Sequence, residues 1–474
     1  MSILKRLFVI WVVFAFTIPC EDVRAQFTVP ELVGRPTDKF VCVNVIADTE
    51  MELYCEYGIA PGVYGNQTPV SAAHANTPIE VPIGNLQPDT QYYYRIRYRK
   101  PGENQFLARD EYSFHTQRPA GSTFTFCVQG DSHPERLNRM YHPDLYIRTM
   151  NNVLQDHPDF YFTIGDDFSI EKLINRNRLS RKSVDDVYLN QRNILGLIGS
   201  SIPLFLVNGN HEQAARYLLD GTPDNAAILA AKSRTAIFPL PAPDSFYSGN
   251  SEAIEFVGLL RDYYAFEWGD ALFVVIDPYW HSPVPVDNVA GGGPKRKDIW
   301  DVTIGDVQYN WLKQTLEESG AAYRFIFSHH VLGTGRGGVE AAGLYEWGGF
   351  GRQGDWEFED RRPGWALPIH QLMAANNVSI FFQGHDHLFA HQELDGVVYQ
   401  SLPNPADPTY TAFNATVYKS GTVLPNSGHV RVTVSASGAV VDYVRSFLPK
   451  DETDDLQNRS VSHSYTVAQA DTEN

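Results

Sequence analysis

The sequence predicts an α/β layered sandwich preceded by a small all-β sandwich. Residues 27–118 contain segments in which apolar and polar side chains alternate, as at residues 40–45 and 92–99, and this period of two is typical of half-buried antiparallel strands. After a linker at residues 119–121 the period changes, and short apolar runs alternate with segments of helical spacing. Such alternation predicts helices packed over a sheet.

Length and composition allow two domains. The chain has 474 residues, of which 43% are hydrophobic and 13% aromatic, which is more apolar material than one small core needs. The all-β sandwich, residues 27–118, has the size of about 90 residues that is common for such modules. We assign residues 122–448 to the α/β domain and expect the polar tail, residues 449–474, to be poorly ordered.

The first 25 residues resemble a cleaved export signal. Lys5 and Arg6 precede an apolar run at residues 7–18, and residues 23–25 place small or aliphatic side chains where signal peptidase reads the chain. The alternative, a membrane anchor, is disfavoured because the run is shorter than the ~20 residues that span a bilayer. We therefore expect a secreted or periplasmic protein with no stable membrane anchor.

The chain is strongly acidic. Its formal net charge is -18, and it becomes about -19 once residues 1–25 are removed. Such a surface argues against binding nucleic acid through the phosphate backbone. It remains compatible with a phosphorylated small-molecule or polymer-derived substrate, because bound cations reverse the field locally.

The second domain combines short apolar strands with amphipathic helices. Strands are predicted at residues 124–128, 160–164, 203–207, 272–276, 323–327 and 378–382, with a closing β-hairpin at 428–434 and 439–444. Helices are predicted at residues 144–155, 184–198 and 306–318, the last with Val307, Trp311, Leu312 and Leu316 spaced for burial. Two Gly- and Pro-rich stretches, 222–251 and 333–364, are predicted to be long loops, which are usually functional or disordered.

Five of these strands end in clusters of side chains that can bind metal ions. The clusters are Gly130-Asp131-Ser132-His133, Gly165-Asp166-Asp167, Gly209-Asn210-His211-Glu212, Ser328-His329-His330 and Gly384-His385-Asp386-His387. Because sites form at the carboxyl edge of open α/β sheets, we expect the five clusters to converge there. Carboxylate, amide and imidazole ligands suit ions such as Zn, Mn or Fe, and no cysteine is needed.

The series D-x-H, G-D, G-N-H-E, a strand-end His and G-H-x-H resembles the calcineurin-like metallophosphoesterase superfamily over residues 122–448. Residues 86–95 resemble the turn and strand of a fibronectin type III domain and the N-terminal domain of purple acid phosphatases. The resemblance implies two metal ions. It implies that the first is held by Asp131, His133 and His387, the second by Asn210, His329 and His385, and that Asp166 bridges both.

Two positions depart from the patterns of this superfamily. Three residues after the metal Asp, the superfamily usually has Asp or Asn, and purple acid phosphatases have a Tyr ligand, whereas this chain has Ser169. In addition, His133 stands where purple acid phosphatases lack a His. The chain thus resembles a D-x-H phosphoesterase with a purple-phosphatase-like N-terminal domain, and the identity of the metals stays open.

Other side chains are candidates for catalysis or for binding the substrate. His211 follows the ligand Asn210, and the resemblance implies that it protonates the leaving oxygen or stabilises the developing charge; a purely structural hydrogen bond is the alternative. Only one of the adjacent His329 and His330 should face the metals; we favour His329, which leaves His330 either supporting a ligand without touching the metals or facing the substrate. In the second long stretch, Arg336 is a candidate partner of a phosphate oxygen, and Tyr345 or Trp347 a stacking surface for the leaving group; a solvated loop is the alternative for all three.

These features predict an exported, dinuclear-metal-dependent phosphoesterase. A bridging hydroxide would attack phosphorus while the ions stabilise the attacking and leaving oxygens. The ligands serve phosphomonoesters and phosphodiesters alike, so the preference depends on the two long stretches. The alternative is a non-catalytic secreted binding protein that uses the β-sandwich and keeps a vestigial metal site.

Overall fold

The structure is a computed structural model that describes residues 27–287, 289–290, 298–332 and 335–469. The predicted export signal, residues 1–25, lies outside the described residues. No helix within the described ranges combines the length and apolarity that crossing a membrane requires.

The N-terminal part is built of antiparallel strands alone, as predicted. Its strands are β1 (Leu32–Gly34), β2 (Phe40–Ile46), β3 (Met51–Gly58), β4 (Asn66–Gln67), β5 (Ser71–Ala73), β6 (Pro78–Gly84), β7 (Gln91–Arg99), β8 (Leu107–Ala108) and β9 (Tyr112–His115). One sheet has the order β1-β2-β6; the other has the order β4-β3-β7-β8, with β5 on β3 and β9 on β7. Alternate residues of β7 are buried between the sheets: Tyr92, Tyr94, Ile96 and Tyr98.

The second part contains two larger sheets. Its strands are β10 (Phe124–Gln129), β11 (Phe160–Thr163), β12 (Leu204–Leu206), β13 (Ser248–Gly249), β14 (Ala253–Ile254), β15 (Gly258–Leu259), β16 (Tyr264–Trp268), β17 (Ala271–Val275), β18 (Tyr323–Phe327), β19 (Ile380–Gln383), β20 (Phe389–Leu394), β21 (Val397–Ser401), β22 (Thr422–Leu424), β23 (Gly428–Ser435), β24 (Gly438–Arg445) and β25 (Val461–Val467). The first sheet has the order β12-β11-β10-β23-β24-β25 and the second β13-β16-β17-β18-β19-β21-β20-β22.

The helices cover the outer faces of these two sheets. They are α1 (Pro143–Asp156), α2 (Glu171–Asn175), α3 (Arg181–Gly199), α4 (Ala226–Ile237), α5 (Gly305–Glu318), α6 (Val339–Ala342), α7 (Tyr345–Gly348), α8 (Phe358–Arg361) and α9 (Ile369–Ala375). Residues of α1, α3 and α4 share one apolar cluster with the outer face of the first sheet. Residues of α5, α7 and α9 share another with the second sheet. The layer order is helices, sheet, sheet, helices, which confirms the predicted α/β layered sandwich.

Phenylalanine fills the space between the two sheets. Phe126 and Phe162 of the first sheet meet Phe273 and Phe327 of the second, and the rings of Phe162 and Phe327 stack with centroids 4.1 Å apart. Successive side chains of a strand point to opposite faces of the sheet. Cys127, which follows Phe126 in β10, therefore faces the helices. This dry aromatic layer fixes the two sheets against each other, so the ends of their strands are held in a rigid frame.

Three expectations about local structure are wrong. The stretch 222–251, predicted to be a loop, contains helix α4, whose residues are almost all buried. The tail predicted to be poorly ordered contains β25, which pairs with β24 at the edge of the first sheet. Val307, predicted to be buried on α5, is 74% exposed. In each case tertiary packing decided the outcome over local composition.

Buried polar contacts join the two parts of the chain. Arg192 of α3 is fully buried and donates hydrogen bonds to the carbonyl oxygens of Pro30 at 2.8 Å and Asn44 at 2.8 Å in the N-terminal part. Tyr94 donates to the carbonyl oxygen of Ser200 at 2.7 Å. A buried hydrogen-bond donor that loses its acceptor costs free energy. These contacts therefore hold the N-terminal sandwich against α3 and the turn that follows it.

Candidate metal centre

The structure brings all seven predicted metal ligands to one edge of the α/β sandwich. Each follows the carboxyl end of a parallel strand: Asp131 and His133 follow β10, Asp166 follows β11, Asn210 follows β12, His329 follows β18, and His385 and His387 follow β19. His133 and Asp166 form one group with His211 in which the ligand atoms lie within 4.8 Å of one another. Two such groups consist of the predicted ligands alone: Asp131, His133 and His387, and Asp131, Asp166, His329 and His385. Asp131 therefore belongs to both groups.

Distances within the first group are those of ligands that share one small space. The Nε2 atoms of His133 and His387 lie 3.1 Å apart. Oδ2 of Asp131 lies 3.0 Å from Nε2 of His387 and 3.7 Å from Nε2 of His133. All three side chains are buried.

The second group is equally compact, and the side-chain amide of Asn210 lies beside it. Nε2 of His329 lies 3.0 Å from Oδ1 of Asn210 and 3.2 Å from Nδ1 of His385. Oδ2 of Asp166 lies 3.2 Å from Nε2 of His329 and 3.7 Å from Nε2 of His133. One oxygen of Asp166 therefore reaches into both groups.

The backbone at the ligands is held in an unusual conformation. His133, Asp166, His385 and His387 have left-handed φ angles of 50°, 60°, 67° and 53°. Such residues cost ~1–3 kcal/mol each and persist where the surroundings over-determine them, which is common at functional sites. Gly384, the first residue of the fifth motif, is glycine for a steric reason. A Cβ atom at this position would overlap a carboxylate oxygen of Asp131.

The donor atoms fit metal ions. His329 Nδ1 lies 2.8 Å from the carbonyl oxygen of Ile164, so this nitrogen donates its proton and Nε2 is directed at the group, as in many metal sites. Oδ2 of Asp131 is buried and makes no directed hydrogen bond. A buried carboxylate oxygen without a hydrogen bond is costly unless a cation compensates it.

Burial and neighbouring charges shift the pKa values of the side chains in the two groups. Burial raises the pKa of Asp166, but the charges of His329 and His211 outweigh it and hold this pKa well below its usual range. For Asp131 burial likewise raises the pKa, and His329 and His387 lower it further than that. Burial lowers the pKa of His387 to about 4. His387 is therefore neutral near neutral pH. Burial also lowers the pKa of His329, but the charges of Asp166 and Asp131 outweigh it and raise this pKa to about 10.

Glu212 of the third motif is not placed among the ligands but organises them. Its carboxylate accepts hydrogen bonds from the backbone N–H groups of Asp166 at 3.1 Å, Asp167 at 2.8 Å, Phe168 at 3.0 Å and Gly209 at 2.8 Å. These donors come from the loops after β11 and β12. One buried carboxylate thus fixes the two loops that carry Asp166 and Asn210.

The two groups open into a cavity of about 360 Å³. Its lining includes Arg136, Glu171, Asn210, His211, Asp287 and Arg336 beside the metal-binding side chains. His211 is partly exposed, with Nδ1 3.0 Å from Oε2 of Glu171 and Nε2 3.8 Å from Oδ2 of Asp166. A polar cavity with a titratable side chain at its rim can accommodate a phosphate ester.

The other predicted contact residues divide into two sets. Arg336 lines the cavity. The ring of His330 lies 4.5 Å from that of His385, while its Nδ1 is 3.2 Å from the hydroxyl of Tyr279, so it supports the site from behind. Tyr345 packs edge-on against Trp300 and Trp347 is buried against Phe381, so within the described residues neither of these rings reaches the cavity.

Sequence reasoning missed five residues of the cavity, of which three are charged: Arg136, Glu171 and Asp287. Arg136 and Glu171 follow ligands by three and five residues, and this proximity to a motif was the available signal. Asp287 lies 3.6 Å from Nε2 of His385, but it is almost 100 residues from that residue in the chain, and no local pattern marks it.

Comparisons with known proteins agree with this geometry. The model of the calcineurin-like phosphoesterase family matches residues 124–389, which include all five motifs. The structure of purple acid phosphatase PPD1 from yellow lupin (Lupinus luteus) seeds is similar with a TM-score of 0.61 and 16% identity, covering 93% of this chain and 74% of that one. The structure of PhoD is similar with a TM-score of 0.64 and 15% identity, covering 88% and 86%. At such identities these two likenesses concern the fold.

A sequence relative is a Kelch domain-containing protein of Sulfurisphaera tokodaii, 26% identical over 173 residues, which are 36% of this chain and 21% of that protein. This chain therefore spans about a fifth of the length of that relative. The matches together confirm the resemblance that the five motifs and the N-terminal sandwich predicted.

Proposed function

Since this chain belongs to the calcineurin-like phosphoesterase family, we propose that it hydrolyses phosphate esters with the help of two bound metal ions. The observation that carries the proposal is that the two ligand groups lie side by side at one edge of the α/β sandwich, are both reached by Oδ2 of Asp166 and open into one polar cavity. Pairs of ions that share ligands serve to activate water and to stabilise the oxygens of an in-line displacement at phosphorus.

The ligand assignment is supported by the distances within the two groups. Asp131, His133 and His387 would hold one ion, and Asn210, His329 and His385 the other. Asp166 would bridge them, because its Oδ2 lies 3.2 Å from His329 and 3.7 Å from His133. The ligands comprise two carboxylates, one amide and four imidazoles, a set that suits Zn, Mn or Fe.

The role of the proton donor falls to His211. It lies at the cavity, and its Nδ1 is 3.0 Å from the carboxylate of Glu171. That carboxylate orients the ring and favours its protonated form, which can then give a proton to the leaving oxygen. His330 and Tyr279 pack behind the ligands and keep His385 in place.

We further propose that the enzyme acts outside the cytoplasm. The support is the sequence of residues 1–25, which has the charged, apolar and small-residue regions of an export signal. Expression with and without this segment, followed by cell fractionation and mass spectrometry of the mature N-terminus, tests it. Cleavage near residue 25 is expected, and a cytoplasmic protein with an intact N-terminus would contradict it.

The test of the enzymatic proposal measures metal content and turnover together. The protein lacking residues 1–25 is loaded with Mn, Zn or Fe, its bound metal is counted by mass spectrometry, and hydrolysis of nitrophenyl phosphate esters is followed. Two ions per chain and metal-dependent turnover are expected. One or no ion, with no turnover, would instead favour a binding protein that uses the N-terminal sandwich.

A further inference from the structure

Two arginines from different loops line the cavity beside the metal-binding side chains. Resting on the proposed phosphoesterase activity, we infer that Arg136 and Arg336 bind the non-ester oxygens of a dianionic phosphate group, so that the enzyme prefers phosphomonoesters to phosphodiesters. A monoester presents more negative charge and more free oxygens than a diester, and guanidinium groups match such oxygens in charge and geometry.

Arg136 is placed on the side of His133 and His211. It follows the first motif, and its Nη2 lies 3.0 Å from Nε2 of His211. Nε is 3.3 Å from Oε1 of Glu135 and Nη1 is 3.2 Å from the sulfur of Met140. These contacts aim the guanidinium at the same part of the cavity as the proposed proton donor, and the side chain is still 32% exposed.

Arg336 is placed on the opposite side, beside His385. Its Nη1 donates to the carbonyl oxygen of His385 and to Oδ1 of Asp386, the latter at 3.2 Å. Asp386 is itself fixed, because its Oδ2 accepts from the N–H of Gly337 at 2.8 Å and the hydroxyl of Tyr418 at 2.6 Å. The side chain of Arg336 is 40% exposed, and a guanidinium has five N–H donors, so donors remain for a ligand.

Among the described residues the cavity is lined mostly by polar side chains, which suits a small dianion. Its volume is about 360 Å³, and Val289 is the apolar side chain among the lining residues described. A diester needs a surface for a second organic group on phosphorus, and a nitrophenyl group favours apolar or aromatic walls. The aromatic rings of the nearby long stretch do not supply one, since Trp347 is buried in the core and Tyr345 packs on Trp300.

Two anionic side chains of the cavity lie beside histidine rings of the protein. Glu171 lies 3.0 Å from Nδ1 of His211, and Asp287 lies 3.6 Å from Nε2 of His385. Among the lining residues described, Arg136 and Arg336 carry the permanent positive charges that can meet an incoming phosphate.

The test compares two nitrophenyl substrates in matched variants. kcat/KM is measured for nitrophenyl phosphate and bis-nitrophenyl phosphate with the metal-loaded wild type, Arg136→Gln and Arg336→Gln. Arg139→Gln and Arg352→Gln serve as controls, because both arginines are exposed, lie close in sequence to the tested pair and do not line the cavity. Calorimetric binding of inorganic phosphate and of dimethyl phosphate gives a readout independent of turnover, and metal content shows that each variant keeps its site.

The wild type is expected to favour the monoester. Each cavity variant should lower the monoester-to-diester ratio of kcat/KM by about tenfold or more, because a charge-assisted hydrogen bond stabilises a bound anion by that factor. Each should also weaken the binding of inorganic phosphate and leave the binding of dimethyl phosphate unchanged. A wild type that prefers the diester, or variants that slow both substrates equally, would overturn the inference and leave the phosphoesterase proposal standing. A wild type that binds two ions but cleaves neither ester would refute the proposed function itself.

Discussion

Replacing Glu212 with glutamine is expected to loosen the metal centre through its backbone. Burial and the charge of Asp166 raise the pKa of Glu212. Each carboxylate oxygen nevertheless accepts two backbone N–H groups, Oε1 from Asp167 and Phe168 and Oε2 from Asp166 and Gly209. An oxygen surrounded in this way has no acceptor for a proton of its own, so the group is a carboxylate in the folded protein.

The structure sets the size of the effect. In the Glu212→Gln variant, the new amide keeps one acceptor oxygen and turns the other position into an NH₂ group that faces two N–H donors. Two buried backbone donors then lose their acceptors, and each such loss costs ~1–3 kcal/mol. Opening of the loops after β11 and β12 should therefore become easier by ~2–6 kcal/mol, or at least about 30-fold in the opening equilibrium.

Hydrogen–deuterium exchange measures this directly, because the peptides that contain Asp166, Asp167, Phe168 and Gly209 report on these N–H groups. Faster exchange is expected there, with the N-terminal sandwich unchanged and weaker metal binding. Glu317→Gln is the control, since Glu317 is 46% exposed in a surface pair with Lys313, and such pairs contribute ~0–1 kcal/mol. Exchange within about threefold of the wild type in these loops of the Glu212→Gln variant would refute the proposed clamp.

Three further predictions follow from the same geometry. Asp166→Asn should reduce bound metal below two ions per chain in elemental analysis while the sandwich stays folded; full occupancy with the wild-type rate would contradict the bridging role. His211→Asn should lower kcat by about 10²–10⁴-fold at unchanged metal content, and an unchanged kcat would remove His211 from the reaction. Burial lowers the pKa of His281, but the hydrogen bond and charge of Asp262 outweigh burial and raise this pKa above its usual value. The ion pair therefore stabilises the folded protein at pH values below the pKa of His281 in the unfolded chain. This stabilisation is lost as the pH rises through the pKa of His281 in the folded protein. The destabilisation measured by urea unfolding for His281→Asn should thus be larger at mildly acidic than at alkaline pH, and a pH-independent difference would argue against this ion pair.

Local sequence was sufficient for most elements of the sheets. Apolar runs such as 323–327 can be buried on both faces only in the middle of a layered structure, and β18 lies there. The same reasoning failed for α4, because its Ala-rich residues occur in a stretch whose glycines and prolines suggested a loop, and their burial depends on contacts with α3. It also failed for β25, which is polar because it is an edge strand with exposed residues alternating along it.

The sequence by itself determined the family and the set of side chains that can bind metal ions. Each of the five motifs is local, and each stands directly after a predicted strand. Only the tertiary structure decided which other charged groups share their cavity. Arg136, Glu171, Asp287 and Arg336 are brought together by four separate segments, which follow β10, β11, β17 and β18. The approach of these segments depends on the packing of both sheets rather than on any pattern within one segment. Burial in that frame also decided that Trp347 lies in the core and that Tyr345 packs, partly buried, against the same apolar cluster. Burying apolar side chains there is more favourable than exposing them in a polar cavity.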